Sequence, residues 1–341
     1  MTCHPHHARS CGLPDPLRRI DKPSAAAPSG AQSADRGPAT TPGGTLAAAR
    51  PGLAPTAARP SGALAAARPG RALLRLALAA PRDAAGLTSE WRTIDGLRTH
   101  VRRSVERGQP TTPVLLVHGL AVSHRYLTPL AVTLAETHPV YAPDLPGFGL
   151  SDRPRAAYDP RQHAEHLAAL LAAYRLPPVC VLGHSFGAEV AAALAAHHPE
   201  AVRAVVLAGP TSDPRARSRQ AQIRRFLVDA TREARWQAPI LLRDVVDARP
   251  WRVWATLSHS IGNRIENDLS RITAPTLVLT GSRDPIVPTP WRSRVAELVP
   301  GGRTVAVPGA AHNVATTAPW QVADAVRTLL DPSHPDKPTN R

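Results

Sequence analysis

Residues 179–200 have the sequence VCVLGHSFGAEVAAALAAHHPE, which places one serine between two glycines where a strand becomes a helix. The apolar run at the start predicts a buried strand, and the alanine-rich segment at the end predicts a helix. Gly183 and Gly187 remove the side chains that would obstruct a sharp strand-to-helix turn. Such a turn holds the hydroxyl of Ser185 above the sheet and leaves the N–H of Phe186 at a helix N-terminus. The stretch therefore predicts a nucleophilic serine beside a donor for a developing negative charge.

A serine hydroxyl is a weak nucleophile unless a histidine takes its proton, and that histidine needs a carboxylate to orient it. Two motifs supply these partners where predicted strands end. LTGSRDPIVP contains Asp284, and VPGAAHNV, after the next strand, contains His312. The candidate catalytic residues therefore occur in the order Ser185, Asp284, His312.

A second donor for the same negative charge is expected near the start of the sheet. The segment LLVHGL (115–120) ends a predicted strand with His118 and Gly119, so the N–H of Leu120 can join that of Phe186. Two main-chain donors of this kind form an oxyanion hole.

The rest of the chain alternates strands and helices, which predicts a parallel sheet covered by helices on both faces. A two-stranded antiparallel start over 91–105 precedes the alternation. Further strands are predicted at 113–119, 139–147, 202–210, 276–281 and 303–309, and helices at 126–138, 160–176, 290–299 and 318–330.

The alternation stops at residues 211–265, which are helical in composition and rich in arginine. An insertion at the carboxyl edge of such a sheet lies where ligands bind, so we interpret it as a helical cap. Its aromatic residues either line an apolar acyl pocket or pack the cap against the core. They are Phe226, Trp236, Trp251 and Trp254.

Five motifs in this order, VHG, PDLPGFGLSD, GHSFG, GSRDPIVP and PGAAH, resemble the α/β-hydrolase fold superfamily over residues 90–330. The resemblance implies an α/β fold with a mostly parallel eight-stranded sheet, flanking helices and a helical cap insertion. It implies Ser185 as nucleophile, Asp284 as acid and His312 as base. The expected function is a serine hydrolase that cleaves a carboxylic ester, thioester or lactone through an acyl-enzyme on Ser185, without cofactor or metal.

Two alternatives remain open. The first is a C–C bond hydrolase of the same superfamily, although those enzymes commonly carry Asn where this chain has His184 and Trp where Asn313 stands. The second is a non-catalytic member that binds a ligand in an intact pocket.

Other carboxylates have competing interpretations. Asp213 follows the strand at 202–210, a second place where members of this fold carry the acid, but TSDPR around it also suits the start of the cap. We expect Asp144 and Asp152, in a turn-rich loop, to hold backbone N–H groups.

Several histidines lie near the motifs without a metal-binding pattern. His118 is expected to brace the oxyanion loop by a hydrogen bond, and His184 to face away from the pocket. His163 and His166 share one face of a predicted helix, which we interpret as a solvated surface.

Composition defines the domain organisation and excludes several function classes. Residues 1–85 are rich in Ala, Pro and Arg, and predict a disordered tail. We then expect a hydrolase core over 86–210 and 266–331, the cap between them at 211–265, and a flexible tail at 332–341. The net charge is +15, and the positive charge comes almost entirely from arginine. No nucleic-acid motif accompanies it, so no nucleic-acid partner is expected. The three cysteines are not expected to form a disulfide framework, so we expect a cytoplasmic protein. We expect no membrane span, and a small acyl substrate as the partner.

Overall fold

The computed structural model describes residues 86–104 and 111–331, so the predicted tails at 1–85 and 332–341 lie outside the described residues. Eight strands form one sheet in the order β1-β2-β4-β3-β5-β6-β7-β8. Only the β1–β2 and β2–β4 pairs are antiparallel. The predicted mostly parallel, eight-stranded sheet is confirmed. The strands are Leu87–Ile94, Leu97–Ser104, Val114–Val117, Val140–Pro143, Val179–His184, Val202–Ala208, Thr276–Gly281 and Arg303–Val307.

Both faces of the central strands are covered. β3, β4, β5 and β7 are buried along their whole length, as expected for continuous apolar runs in a parallel sheet. One apolar cluster lies on each face of the sheet. This packing fixes the carboxyl ends of the parallel strands at one edge, where the candidate site lies.

The four helices with predicted bounds begin and end within four residues of those positions. The second, α2, starts with Pro160 and a capping box in which Asp159 accepts from the N–H of Gln162, and it ends at the left-handed Arg175. The α-helices α1 to α10 are His124–Leu134, Pro160–Tyr174, Phe186–His197, Arg219–Arg232, Ala238–Ala248, Pro250–Gly262, Ile265–Leu269, Thr289–Leu298, Val314–Thr317 and Pro319–Leu330. None of these ten combines the length and apolar character that a bilayer-spanning helix needs.

Residues 211–265, here called the helical insertion, lie between β6 and β7 and carry α4, α5, α6 and the first residue of α7. Polar contacts hold its two ends to the core. The buried carboxylate of Glu189, on α3, accepts hydrogen bonds from Thr211 at the start of the insertion and from Ser260 and Asn263 near its end. Burial raises the pKa of Glu189 despite these bonds. The insertion is thus tied at both ends to the helix that begins beside Ser185.

Candidate active site

Ser185 lies at the turn from β5 to α3 in a strained backbone conformation, with φ 56° and ψ −122°. Non-glycine residues rarely adopt this region, and such strain concentrates at functional sites. A Cβ added at Gly183 would overlap the carbonyl of Gly187, and one at Gly187 would overlap the carbonyl of Val117. The two glycines therefore allow the close approach that the turn requires. Ser185 remains partly exposed, whereas the residues on both sides of it are buried.

Asp284 and His312 form a buried hydrogen-bonded pair on neighbouring loops. The Nδ1–H of His312 donates to Oδ2 of Asp284 at 2.9 Å. The other carboxylate oxygen accepts from the backbone N–H groups of Ile286 and Val287 at 2.8 and 3.0 Å. These bonds fix the carboxylate, and the carboxylate fixes the imidazole tautomer that leaves Nε2 unprotonated. Nε2 of His312 is buried and makes no hydrogen bond within the described residues.

The electrostatics of the pair favour an ionised acid and a strong base. Burial alone would raise the pKa of Asp284, but the His312 ring and the two backbone N–H groups lower it below its ordinary value. Burial would lower the pKa of His312, but the charges of Asp284, Asp229 and Glu233 raise it above the ordinary value. An imidazole with a raised pKa is a stronger general base.

Ser185 and His312 are brought to the same edge of the sheet through their neighbours. The N–H of Ser185 donates to the carbonyl of Ala208 at 2.8 Å. A Cβ added at the next residue, Gly209, would lie 2.9 Å from Cε1 of His312. His184 donates from Nε2 to the carbonyl of His312 at 2.9 Å, and the two rings are 4.9 Å apart. The ring of His184 thus supports the loop that carries His312, and its orientation away from the pocket stays a prediction.

The candidate oxyanion donors lie on the two sides of Ser185. Phe186 is the first residue of α3, so its N–H is not used within the helix. Gly119, which precedes Leu120, approaches so closely that an added Cβ would lie 3.1 Å from Cβ of Ser185. The predicted brace is present: His118 donates from Nδ1 to the carbonyl of Gly119 at 2.8 Å and accepts at Nε2 from the N–H of Leu145.

Known proteins resemble this chain in fold and in sequence. A family model for the alpha/beta hydrolase fold matches residues 112–239, and a second model, described as TAP-like protein, matches residues 253–340. An enol-lactonase from Burkholderia xenovorans superposes with a TM-score of 0.61 at 19% identity, covering 71% of this chain and 99% of that one. At this identity the superposition shows the fold alone. The first family model, together with the sheet, decides the fold. The chain has the α/β-hydrolase fold.

Relatives of this α/β-hydrolase-fold protein include an uncharacterised protein and an enzyme with an assigned reaction. An uncharacterised protein of Mycobacterium tuberculosis is 34% identical over 126 residues, which are 37% of this chain and 36% of that protein. The chain thus spans only about a third of that relative's length. A 2-(acetamidomethylene)succinate hydrolase of Mesorhizobium japonicum is 24% identical over 246 residues, covering 64% of this chain and 87% of that one.

In this α/β-hydrolase-fold protein, Asp213 does not pair with His312. Its Oδ1 accepts from the N–H of Arg215 at 3.0 Å and its Oδ2 from the guanidinium of Arg225 at 2.6 Å. Asp213 therefore stabilises the start of the helical insertion, and His312 pairs with Asp284.

A second buried cluster, of His100, His124 and Asp144, has ligand atoms that lie within 4.8 Å of one another. Both imidazoles contact Oδ2 of Asp144, at 2.9 and 2.8 Å. The same carboxylate accepts from the backbone N–H groups of His124 and Leu150. This is the predicted role of Asp144, and Asp152 likewise accepts from a backbone N–H, that of Arg98. Hydrogen bonds already satisfy the cluster, so its donor set does not require a metal.

The interpretation of His163 and His166 as a solvated surface is wrong, since both are buried, with 0% and 3% of their surface exposed. Nε2 of His166 contacts the hydroxyl of Thr99 at 2.7 Å. His163 lies among the rings of three aromatic residues, and neither of its nitrogens has a partner within the described residues. Those residues are Phe148, Tyr158 and Phe186. The two histidines extend the buried leucine stripe of α2 toward its N-terminus at i−4 spacing, a signal that the sequence contained.

The aromatic residues of the helical insertion do not form an enclosed acyl pocket. Phe226, Trp251 and Trp254 expose 58%, 50% and 47% of their surface. Trp236 packs against the apolar cluster that contains Ile240. Only this fourth residue fits the expectation of packing against the core.

Two carboxylates of the helical insertion reach the site, although no motif in the sequence points to them. Oδ1 of Asp229 accepts from the N–H of His312 at 3.2 Å, and Oε1 of Glu233 accepts from the N–H of Asn313 at 2.6 Å. Their sequence context, FLVDATRE, is that of an ordinary charged helix face. Only the packing of α4 across the sheet edge brings them to His312.

Proposed function

We propose that this protein is a serine hydrolase that cleaves a carboxylic ester, thioester or lactone through an acyl-enzyme on Ser185. One observation carries the proposal. His312 donates to Asp284 from Nδ1 and keeps Nε2 buried and unpartnered, on a loop held against the residue that precedes Ser185. A base with this tautomer, beside a serine in a strained turn, is arranged to accept a proton from a hydroxyl.

The mechanism follows from these positions. Nε2 of His312 takes the proton of the Ser185 hydroxyl while Oγ attacks the acyl carbon. The N–H groups of Leu120 and Phe186 stabilise the oxyanion, each by about 3 kcal/mol. His312 then gives its proton to the leaving group as the bond to it breaks, and Ser185 carries the acyl group. Water, deprotonated by His312, attacks the acyl carbon, and Ser185 leaves with its proton restored.

We propose that the helical insertion is the cap of this site. Asp229 and Glu233 bind the loop of His312, and the guanidinium groups of Arg225 and Arg232 donate to carbonyls on either side of Asp284. Contacts to both loops place α4 over the acid and the base. A cap at this edge excludes water from the reacting groups and selects the substrate by shape.

The two named neighbours support the proposal to different degrees. The Mesorhizobium relative is named as a hydrolase of 2-(acetamidomethylene)succinate, and the Burkholderia structure is an enol-lactonase. The first supports a hydrolytic reaction, whereas the second, at 19% identity, supports the fold alone.

Labelling with a fluorophosphonate tests the nucleophile directly. We expect covalent modification at Ser185 in the native protein and none in the Ser185→Ala variant. A panel of aryl esters of increasing chain length, acyl thioesters and lactones then identifies the leaving group, with Ser185→Ala as the blank. An unmodified Ser185, in protein whose circular dichroism shows it to be folded, would overturn the proposal in favour of a ligand-binding member. If the fluorophosphonate modifies Ser185 but the protein turns over only a substrate that is cleaved at a C–C bond, the result would favour the C–C bond hydrolases.

A further inference from the structure

The helical insertion presents two carboxylates to two consecutive backbone N–H groups. Asp229 lies near the C-terminal end of α4, and Glu233, four residues later, follows directly after it. They accept from the N–H groups of His312 and Asn313, while the second oxygen of Glu233 accepts from the side chain of Gln237. Successive main-chain N–H groups form an anion-binding concavity, and here this chain fills it with its own acids.

Charged and titratable groups face His312 from four parts of the fold. Asp284, after β7, binds the ring directly. His184, at the end of β5, contacts it with the two rings tilted by 55°, and burial lowers the pKa of His184 to about 3, so that it stays neutral. On α1, burial raises the pKa of the Tyr126 hydroxyl well above its ordinary value, so Tyr126 is neutral too. The neighbours that raise the pKa of His312 are therefore Asp284, Asp229 and Glu233.

Asp229 is unusual among these groups because it is buried and belongs to the insertion rather than to the core. Burial raises its pKa to about 6, although the neighbouring His312 opposes this shift. Near neutral pH its charge is therefore present beside a ring that must become a cation during the reaction. A buried cation is costly unless opposite charge lies close to it.

We propose that Asp229, with Glu233 beside it, is a positioning residue for His312: it holds the histidine loop through the main chain and stabilises the imidazolium form from the side of the insertion. This rests on the proposed function. The base strength of His312 then depends on the insertion lying over the site, because α4 carries these negative charges. An insertion that moved away would leave the imidazole with Asp284 alone and make it a weaker base.

The variant Asp229→Asn separates charge from hydrogen bonding. Its amide oxygen can still accept from the N–H of His312, but the negative charge is gone. We expect the acidic limb of the pH profile of kcat/KM to move to lower pH, because His312 protonates less readily, and the plateau to fall roughly threefold to tenfold. Asp229→Ala also removes the acceptor, and we expect a further loss of about tenfold.

Asp247→Asn is the matched control. Asp247 lies on α5 of the same insertion and pairs with Arg125, away from His312. We expect its acidic limb to coincide with that of the native protein. A limb that moved equally in Asp247→Asn and Asp229→Asn would show a general effect of insertion charge and would overturn the proposal.

Titration of the His312 imidazole by nuclear magnetic resonance provides a readout without turnover. In a Ser185→Ala background with ¹⁵N-labelled histidine, the His312 signal is assigned by its loss in a His312→Gln variant. We expect Asp229→Asn to lower the titration midpoint of that signal. An unchanged midpoint together with an unchanged acidic limb would refute the role of Asp229, whereas a failed fluorophosphonate reaction would refute only the serine hydrolase proposal.

Discussion

Two buried histidine–carboxylate pairs in this molecule have nearly the same geometry. His312 and Asp284 are joined at 2.9 Å, and His124 and Asp144 at 2.8 Å. Each carboxylate lies just after a strand and also accepts from two backbone N–H groups. A short bond between imidazole and carboxylate therefore does not by itself identify a catalytic pair.

The surroundings of the two histidines distinguish the pairs. Three carboxylates raise the pKa of His312, whereas burial keeps the pKa of His124 below its ordinary value although Asp144 opposes this. Asp144 also binds a second imidazole, that of His100. Asp284 binds only one imidazole, that of His312, whose other nitrogen, Nε2, has no partner within the described residues. We infer that the first pair holds a base available for a reaction and the second holds three chain segments together.

The substitution Asp284→Asn is expected to have the largest effect. The asparagine oxygen can keep the two backbone N–H bonds, but its amide favours the wrong tautomer of His312. We expect kcat/KM to fall by roughly 10⁴-fold while the melting temperature changes little. Ester hydrolysis measured beside a thermal melt checks this, and a loss under tenfold would remove Asp284 from the mechanism.

The same substitution in the other pair, Asp144→Asn, is expected to act on stability. It replaces one of the two carboxylate oxygens that accept from several buried donors by an NH2 group, which only donates, and this costs about 3–5 kcal/mol of unfolding free energy. Whatever protein remains folded should retain most of its kcat/KM. Urea unfolding and esterase assays on the folded fraction test this expectation, and a selective loss of activity at native stability would contradict it.

A third buried histidine, His163, has no carboxylate at all. The variant His163→Leu removes two unpartnered nitrogens from an aromatic environment, so we expect unfolding free energy to rise by about 1 kcal/mol. Burial holds the pKa of His163 well below its ordinary value, so the unfolded chain binds the extra proton below pH ~6.5. The native protein therefore loses stability as pH falls through that range, and His163→Leu should lose less.

His166→Leu is the matched control for that variant, because His166 lies on the same helix as His163 but has a hydrogen-bond partner, Thr99 on β2. We expect it to lower the unfolding free energy by about 1 kcal/mol. Chemical unfolding at pH 7.5 and 5.5 compares the two variants. A larger loss of stability in His163→Leu than in His166→Leu would mean that the nitrogens of His163 have partners in solution.

Local patterns predicted most of the fold. The strand β7 has its predicted bounds, and the other strands and the four helices with predicted bounds lie within four residues of them, because apolar runs, glycines and prolines act on the backbone near them. The bounds of the other helices were not predicted. The prediction of a solvated surface for His163 and His166 is wrong, although their spacing lies on the buried stripe of α2. In this helix burial follows the helical period rather than the polarity of the imidazole side chains.

By itself, the sequence determined the order of strands and helices, the turn at Ser185, and the positions of Asp284 and His312 after successive strands. These features depend on local backbone conformation, and the connectivity of a parallel sheet brings its strand ends together. The tertiary structure alone decided that Asp229 and Glu233 face His312, and that His100 and His124 share Asp144. Such contacts join residues 20 to 83 positions apart, and their geometry is fixed by how whole helices pack, which no local pattern specifies.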